Sequence, residues 1–339
     1  MSAVMTGFTN TSFKLAARPF GLPKDSDWLR EQTPVPAPGD GELLIKVRYI
    51  SLDPAMRGWM NEGKSYIRPV AIGEVMRAGA LGEVIASNHP DFAVGDIVEG
   101  MLGVQKYAIS NGRGLSRIDP SLAPLPSFLN ALGMPGMTGY FGLLDVGQPK
   151  AGETVVVSAA AGAVGQVVGQ TAKILGCKVV GIAGGQDKCD FVVNELGFDA
   201  CIDYKRGPIF PGLAKHCPEG IDVYFDNVGG DILDAVMARL RLHARIVLCG
   251  AISQYNNTTP IQGPKNYLSL LVNRARMQGI VVFDWADRYP EAVAAISGWM
   301  REGRYKSRED IVPGLDAFPE TLLKLFRGEN FGKLIIEVT

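Results

Sequence analysis

A short β-branched run, Val155-Val156-Val157-Ser158, passes directly into a turn of small residues, Ala160-Ala161-Gly162-Ala163-Val164-Gly165, and this succession limits the chain's folds more than any other feature. Val164, Val167, Val168, Thr171, Ala172 and Leu175 then recur at helical spacing, and Lys178-Val179-Val180-Gly181-Ile182 is a second strand-like run. Strand, tight turn, helix and strand in that order make a βαβ unit with both strands buried. The turn is a dinucleotide fingerprint with Ala160 in the first glycine position. A pyrophosphate needs a backbone it can approach closely and the free N–H groups of a helix N-terminus. Gly162 admits the phosphate, and Gly165 lets the helix lie close on the sheet.

The residues after the second strand select the cofactor. An unmodified ribose calls for a carboxylate at that strand's end, whereas a 2′-phosphate calls for small residues and a cation. Ala183, Gly184 and Gly185 stand there, followed by Lys188, which favours NADPH. Asp187 is the competing residue, and its other reading is an acidic group in the first turn of the next helix.

The chain is long enough for two domains, with 339 residues of which 47% are hydrophobic and 20% charged. Lys and Arg number 34 against 35 Asp and Glu, a net charge of −1. With no long basic run, neither nucleic acid nor an anionic membrane is an expected partner. No signal-like start or long apolar span is visible, so the expected location is cytoplasmic. Cys177, Cys189, Cys201, Cys217 and Cys249 are odd in number and lack a CxxC spacing, and they read as reduced thiols rather than a disulfide or zinc framework.

Short strands broken by proline and glycine occupy the region up to about Gly103, among them Phe13-Lys14-Leu15, the run from Leu43 to Tyr49, and Gly82-Glu83-Val84-Ile85. They predict a small, barrel-like β domain. The stretch from Pro34 to Gly41 reads as a stiff loop. Near Gly133-Met134-Pro135-Gly136 the character changes to a loop feeding a helix, and the domain crossing is placed there. Strand-like runs at Asp222-Val223-Tyr224-Phe225-Asp226, Arg245-Ile246-Val247-Leu248 and Gly279-Ile280-Val281-Val282-Phe283 alternate with helical segments. The second domain therefore reads as a doubly wound α/β sheet of about six strands. Lys333-Leu334-Ile335-Ile336-Glu337 is a strand that belongs back in the β domain.

Several stretches resemble one family from end to end: Ser51-Leu52-Asp53-Pro54-Ala55-Met56-Arg57-Gly58, Gly73-Glu74-Val75-Met76-Arg77, Gly133-Met134-Pro135-Gly136, Asp226-Asn227-Val228-Gly229-Gly230, Gly250-Ala251-Ile252-Ser253-Gln254-Tyr255-Asn256 and Gly328-Glu329-Asn330-Phe331-Gly332-Lys333. They are similar to the zinc-independent medium-chain dehydrogenase/reductases, within the prostaglandin reductase, alkenal/one reductase and curcumin reductase group. The resemblance implies a GroES-like, partly open β-barrel domain at residues 1–132 and 313–339, a Rossmann domain at 133–312, a cofactor cleft between them, and a homodimer. No metal is expected. Zinc-dependent relatives carry Cys where this chain has Ser51 and Gly-His-Glu where it has Gly73-Glu74, and His89, His216 and His243 have no ligand partners at useful spacing.

Without a Lewis acid, the expected chemistry is conjugate reduction of an enone or 2-alkenal, with hydride delivered to the β carbon and an enolate stabilised by hydrogen-bond donors. The resemblance points to Tyr255 as the leading catalytic donor, with Tyr66 second; packing roles are the other reading for both. It assigns Gly162, Ala163, Val164 and Gly165 to the pyrophosphate, and Lys188 and Tyr204 to the 2′-phosphate, with Gly184 a further cofactor-binding position. Met134, Thr138, Asn227, Cys249, Gly250, Ile252, Ser253, Phe283 and Asn330 are assigned to the rest of the cofactor, as is Tyr255, beside the nicotinamide ribose. Cys249 reads equally as an inert strand thiol, and Arg57 either faces the cleft or pairs at the domain interface. Val104 stands where the family frequently has Trp, removing an aromatic wall. Two other functions compete: a quinone reductase using the same hydride donor, and an NADPH-binding sensor without turnover.

Overall fold

The computed structural model describes residues 4–339, and chain contacts divide it into two compact units. The first comprises the residues up to Leu129 together with Glu309–Thr339; the second is Asn130–Arg308. In chain order the strands are β1 (Val4–Leu15), β2 (Trp28–Pro36), β3 (Leu43–Ser51), β4 (Ala80–Ser87), β5 (Ile97–Gly100), β6 (Tyr107–Ser110), β7 (Ser116–Arg117), β8 (Thr154–Ser158), β9 (Lys178–Ala183), β10 (Ala200–Asp203), β11 (Ile221–Asp226), β12 (Leu240–Leu248), β13 (Arg276–Gly279), β14 (Glu309–Pro313) and β15 (Lys333–Glu337). The helices are α1 (Ala55–Trp59), α2 (Met134–Phe141), α3 (Ala163–Ile174), α4 (Gln186–Asn194), α5 (Ile209–His216), α6 (Gly230–Met237), α7 (Leu268–Val272), α8 (Tyr289–Arg301) and α9 (Phe318–Arg327).

The first unit holds a sheet in the order β14-β15-β3-β4-β5-β7, with β6 also paired to β3, and a separate two-stranded sheet of β1 and β2. Leu43, Ile45 and Val47 bury alternate side chains of β3, and Leu315, Phe318, Leu322 and Ile336 from the end of the chain join the same core. That shared burial, with β15 antiparallel to β3, is what returns the last residues to this unit. Pro34 and Pro36 lie in β2 rather than in a loop; among the described residues β2 pairs with β1 alone, and its other edge needs no N–H donors. Val104 is fully buried in the barrel core.

The second unit carries a parallel sheet in the order β10-β9-β8-β11-β12-β13. Every residue of β8 and β11 is buried, as strands covered on both faces require. The order reverses between β8 and β11, so the C-terminal ends of these strands flank a switch point. Gly169 lets α3 lie against Phe198, since an added Cβ would come within 1.8 Å of its ring.

Two expectations need correction. The strand placed at Gly279-Ile280-Val281-Val282-Phe283 lies earlier, at β13, because its ladder ends where β12 ends, with Leu248 opposite Gly279. The apolar run that follows buries Ile280 and Val282 while the backbone turns into a 3₁₀ helix, Val282–Arg288. Nor are all the cysteines reduced: Cys189 and Cys201 are joined by a disulfide, their Cα atoms 5.1 Å apart. Sequence spacing gives no hint of this pair, which α4 and β10 bring together.

Candidate active site

Parallel strands set all their C-terminal ends along one edge of the sheet, and most of the expected cofactor residues follow those ends. After β8, Ala159 takes a left-handed conformation (φ 50°), unusual for a residue with a Cβ, and turns the chain into α3. Gly162 is the N-cap and supplies no side-chain cap, so the first N–H groups of Ala163, Val164 and Gly165 have no side-chain acceptor there. A Cβ on Gly165 would come within 2.3 Å of the Ala159 carbonyl oxygen, which only glycine avoids. This small-residue cradle at a helix N-terminus fits a pyrophosphate.

At the end of β9, a Cβ on Gly184 would lie 2.6 Å from the Tyr204 hydroxyl, so the glycine makes room for that ring. Tyr204 is 40% exposed, and its hydroxyl is pushed above the ordinary phenol range by burial and by the neighbouring Asp203. Lys188 is half-buried on α4, and Asp187 is in its exposed first turn. The carboxylate at the end of β10, Asp203, accepts hydrogen bonds from the N–H groups of Gly185 (2.8 Å) and Lys205 (3.0 Å). Both of these bonds come from backbone N–H groups, and beside them Gly184 and Tyr204 pack against each other.

The loops after β11 and β12 hold each other. The N–H of Ser253 and its hydroxyl both donate to the Val228 carbonyl, and Ile252 N–H donates to the Asn227 carbonyl. Asn227 is fastened to β8, donating its backbone N–H to Ser158 Oγ (2.9 Å) and its side-chain amide to the Ser158 carbonyl (2.8 Å). Behind it, Asp226 is wholly buried and accepts hydrogen bonds from Tyr224 Oη (2.8 Å), Ser158 Oγ and the N–H groups of Val228 and Gly229. Burial raises its carboxyl above the usual carboxylate range, against the pull of those donors. Ser158, Tyr224 and Asp226 were not among the expected site residues; the signal was a hydroxyl and a carboxylate ending two strands that are buried throughout.

Tyr255 follows a 3₁₀ turn, Ile252–Gln254, and curls back so that the Ala251 N–H donates to its Oη at 3.1 Å. Gly250 makes this possible, because a Cβ there would lie 2.9 Å from the hydroxyl. Desolvation pushes the Cys249 thiol up to about 12, which keeps it protonated at neutral pH. Met134 and Thr138 sit one turn apart on α2, Thr138 donating its hydroxyl to the Met134 carbonyl (2.7 Å). Phe283 lies beyond β13 in the 3₁₀ helix.

Two expected residues belong to the barrel unit. Tyr66 is 54% exposed and accepts from Trp59 Nε1 (3.2 Å), and Asn330 donates to the Gly332 carbonyl (2.8 Å). Arg57 is buried and donates to the carbonyls of Pro19 and Gly21 and to Asn61 Oδ1, fastening a loop of its own unit. Ser51 donates to Asp53 Oδ2 (2.5 Å), while Asp53 Oδ1 meets the buried ammonium of Lys333 (2.5 Å). Among the described residues, no group of three or more His, Cys, Asp or Glu side chains is arranged to hold a metal ion.

A β unit built from both ends of the chain, with a parallel sheet of doubly wound order between them in sequence, is an architecture that suits a dinucleotide-dependent enzyme. The family described as the N-terminal domain of oxidoreductase matches residues 11–118, and that described as zinc-binding dehydrogenase matches 163–298. The NADPH-dependent curcumin reductase of Escherichia coli (strain K12) is 44% identical over 97% of each chain. The NADP-dependent 2-alkenal reductase of Nicotiana tabacum is 41% identical over 94% of each. The crystal structure of CurA from Vibrio vulnificus in complex with NADPH is 47% identical, covers 97% of this chain and 99% of its own, and superposes with a TM-score of 0.91. The chain belongs to the zinc-independent medium-chain dehydrogenase/reductases, with the GroES-like and Rossmann domains of that family and NADP as its cofactor.

Proposed function

We propose that this protein reduces the α,β carbon–carbon double bond of enones and 2-alkenals with NADPH. Support comes from similarity to reductases named for curcumin and 2-alkenals, and from the end of β9, where Ala183 and Gly184 replace a carboxylate, Gly184 makes room for Tyr204, and Lys188 follows on α4. The observation that carries the mechanism is the Tyr255 hydroxyl, whose oxygen takes a hydrogen bond from the Ala251 N–H.

When bound, NADPH supplies a hydride to the β carbon. The start of α3 would hold the pyrophosphate through the N–H groups of Ala163, Val164 and Gly165, and Lys188 and Tyr204 would hold the 2′-phosphate. Asn227, locked to β8, and Cys249, Gly250, Ile252, Ser253, Met134, Thr138, Phe283 and Asn330 are the proposed remaining contacts. Negative charge develops on the substrate's carbonyl oxygen, and Tyr255 donates its hydrogen bond or proton there. The Ala251 N–H stabilises the charge left on Tyr255 Oη as that proton moves away. Tyr66 is the second candidate donor.

The test is oxidation of NADPH and of NADH with a 2-alkenal, a 2-enone and a simple quinone, with products identified. Saturated carbonyl products with NADPH preferred are expected. Hydroquinone as the only product, or no turnover, would refute the reading.

The protein is further proposed to be a cytoplasmic homodimer. NADPH is an intracellular reductant, and among the described residues no helix is long and apolar enough to cross a membrane. β13 is an edge strand, and beside it in sequence Ile261, Tyr267, Leu268, Leu271 and Val272 are all more than half exposed. An open strand edge with apolar neighbours suits a two-fold pairing of like surfaces. Leu271→Glu is expected to shift the sedimentation of the protein from dimer to monomer; an unchanged dimer would exclude this surface.

A further inference from the structure

Two cysteines without a role in the proposed reaction meet beside the proposed 2′-phosphate residues. Cys189 follows Lys188 on α4 and is 5% exposed; Cys201 is on β10, three residues before Tyr204, and is half-buried. Their sulfurs are bonded across twelve residues of sequence. Side chains alternate along a strand, so Cys201 shares its face of β10 with Asp203. Asp203 accepts from the N–H of Gly185, the N-cap of α4. The first turn of α4 is therefore tied to β10 twice, by that hydrogen bond and by the disulfide, and Lys188 lies between the two ties in sequence.

We infer that Cys189 and Cys201 form a reversible thiol–disulfide site whose state sets how tightly the protein grips the 2′-phosphate of NADPH. The inference rests on the assignment of Lys188 and Tyr204 to that phosphate. Disulfides of proteins that live among cellular thiols are mostly transient and redox-sensing. The oxidant is a low-molecular-weight disulfide such as glutathione disulfide. The more accessible Cys201, as a thiolate, attacks one sulfur and releases one glutathione thiolate. Cys189 then attacks the sulfur of Cys201 in the mixed disulfide and releases the second. The two cysteine sulfurs lose two electrons and two protons, and glutathione disulfide becomes two glutathione thiols. Cys177 and Cys217 do not compete, because burial pushes both thiols up to about 11.

In the disulfide form Lys188 is held on a fixed helix start. In the dithiol form that start has greater freedom, which binding of the phosphate must remove, so affinity falls. NADH, which lacks the phosphate, does not draw on Lys188.

The whole protein, equilibrated with glutathione disulfide or with dithiothreitol, is digested for disulfide mapping and titrated with NADPH and NADH by nicotinamide fluorescence. The oxidised form is expected to yield the Cys189–Cys201 cross-link and a Kd for NADPH about fivefold lower than the reduced form, with NADH unmoved. Cys201→Ser is expected to show the reduced-form value under both conditions. No cross-link, or one Kd for NADPH in both forms, would overturn the inference. Lys188→Ala separates the two failures. If it leaves NADPH binding unchanged, the phosphate assignment falls and takes the inference with it. If it weakens NADPH while redox state does not, only the thiol–disulfide role falls.

Discussion

Single residues carry the chemistry through what their neighbours do to them. The Tyr255 hydroxyl is placed by the space at Gly250 and oriented by the Ala251 N–H, so its loss should affect turnover more than cofactor binding. Tyr255→Phe is expected to lower kcat by about 10²-fold or more while NADPH affinity, read by fluorescence titration, stays within about twofold. An unchanged kcat would move the donor's role to Tyr66. Glu99 makes a different kind of prediction, because burial pushes its carboxyl up to about 7. The folded protein then keeps a proton that the unfolded chain releases, and stability falls as pH rises from the ordinary Glu range through that value. Glu99→Gln is expected to raise stability at pH 8 by on the order of 2 kcal/mol and to leave it nearly unchanged at pH 4, as thermal or urea unfolding would show. An equal effect at both pH values would contradict the titration of Glu99.

At the scale of elements, the barrel unit depends on an ion pair between distant parts of the sequence. Lys333 at the start of β15 is buried and donates to the Leu52 carbonyl (2.8 Å) and to Asp53, which also holds Ser51. Burial lowers the Lys333 ammonium from its usual range, while Asp53 opposes that shift. Removing one partner leaves the other charge buried, so Lys333→Ala is expected to destabilise the unit by about 3–5 kcal/mol in urea unfolding. A loss below about 1 kcal/mol would show that the pair contributes little. Such elements differ in how openly the sequence announces them. The βαβ unit was legible because β8 and α3 declare opposite periodicities on either side of Gly162 and Gly165. The sequence also separated a short-stranded β domain from an alternating α/β one. It misplaced β13, since the apolar run after Gly279 looks like a strand, yet the pairing length is set by β12. Neither the Cys189–Cys201 pair nor the Ser158–Tyr224–Asp226 network was legible, because each joins residues that only the sheet order makes neighbours.

For the whole molecule, the edges of the parallel strands bring together what the chain disperses over more than a hundred residues, from Gly162 to Phe283. The family and its NADP dependence follow from similarity spanning nearly all of the chain. What the site adds to the proposed conjugate reduction is the Tyr255 hydroxyl, held by the Ala251 N–H in the nucleotide-binding unit as the proposed donor to the developing enolate. Transfer from NADPH carrying deuterium at the nicotinamide C4, with a 2-enone as acceptor, tests the conjugate reduction most directly. One deuterium at the β carbon of a saturated ketone, located by NMR, is expected. Deuterium on the carbonyl carbon of an unsaturated alcohol would contradict it.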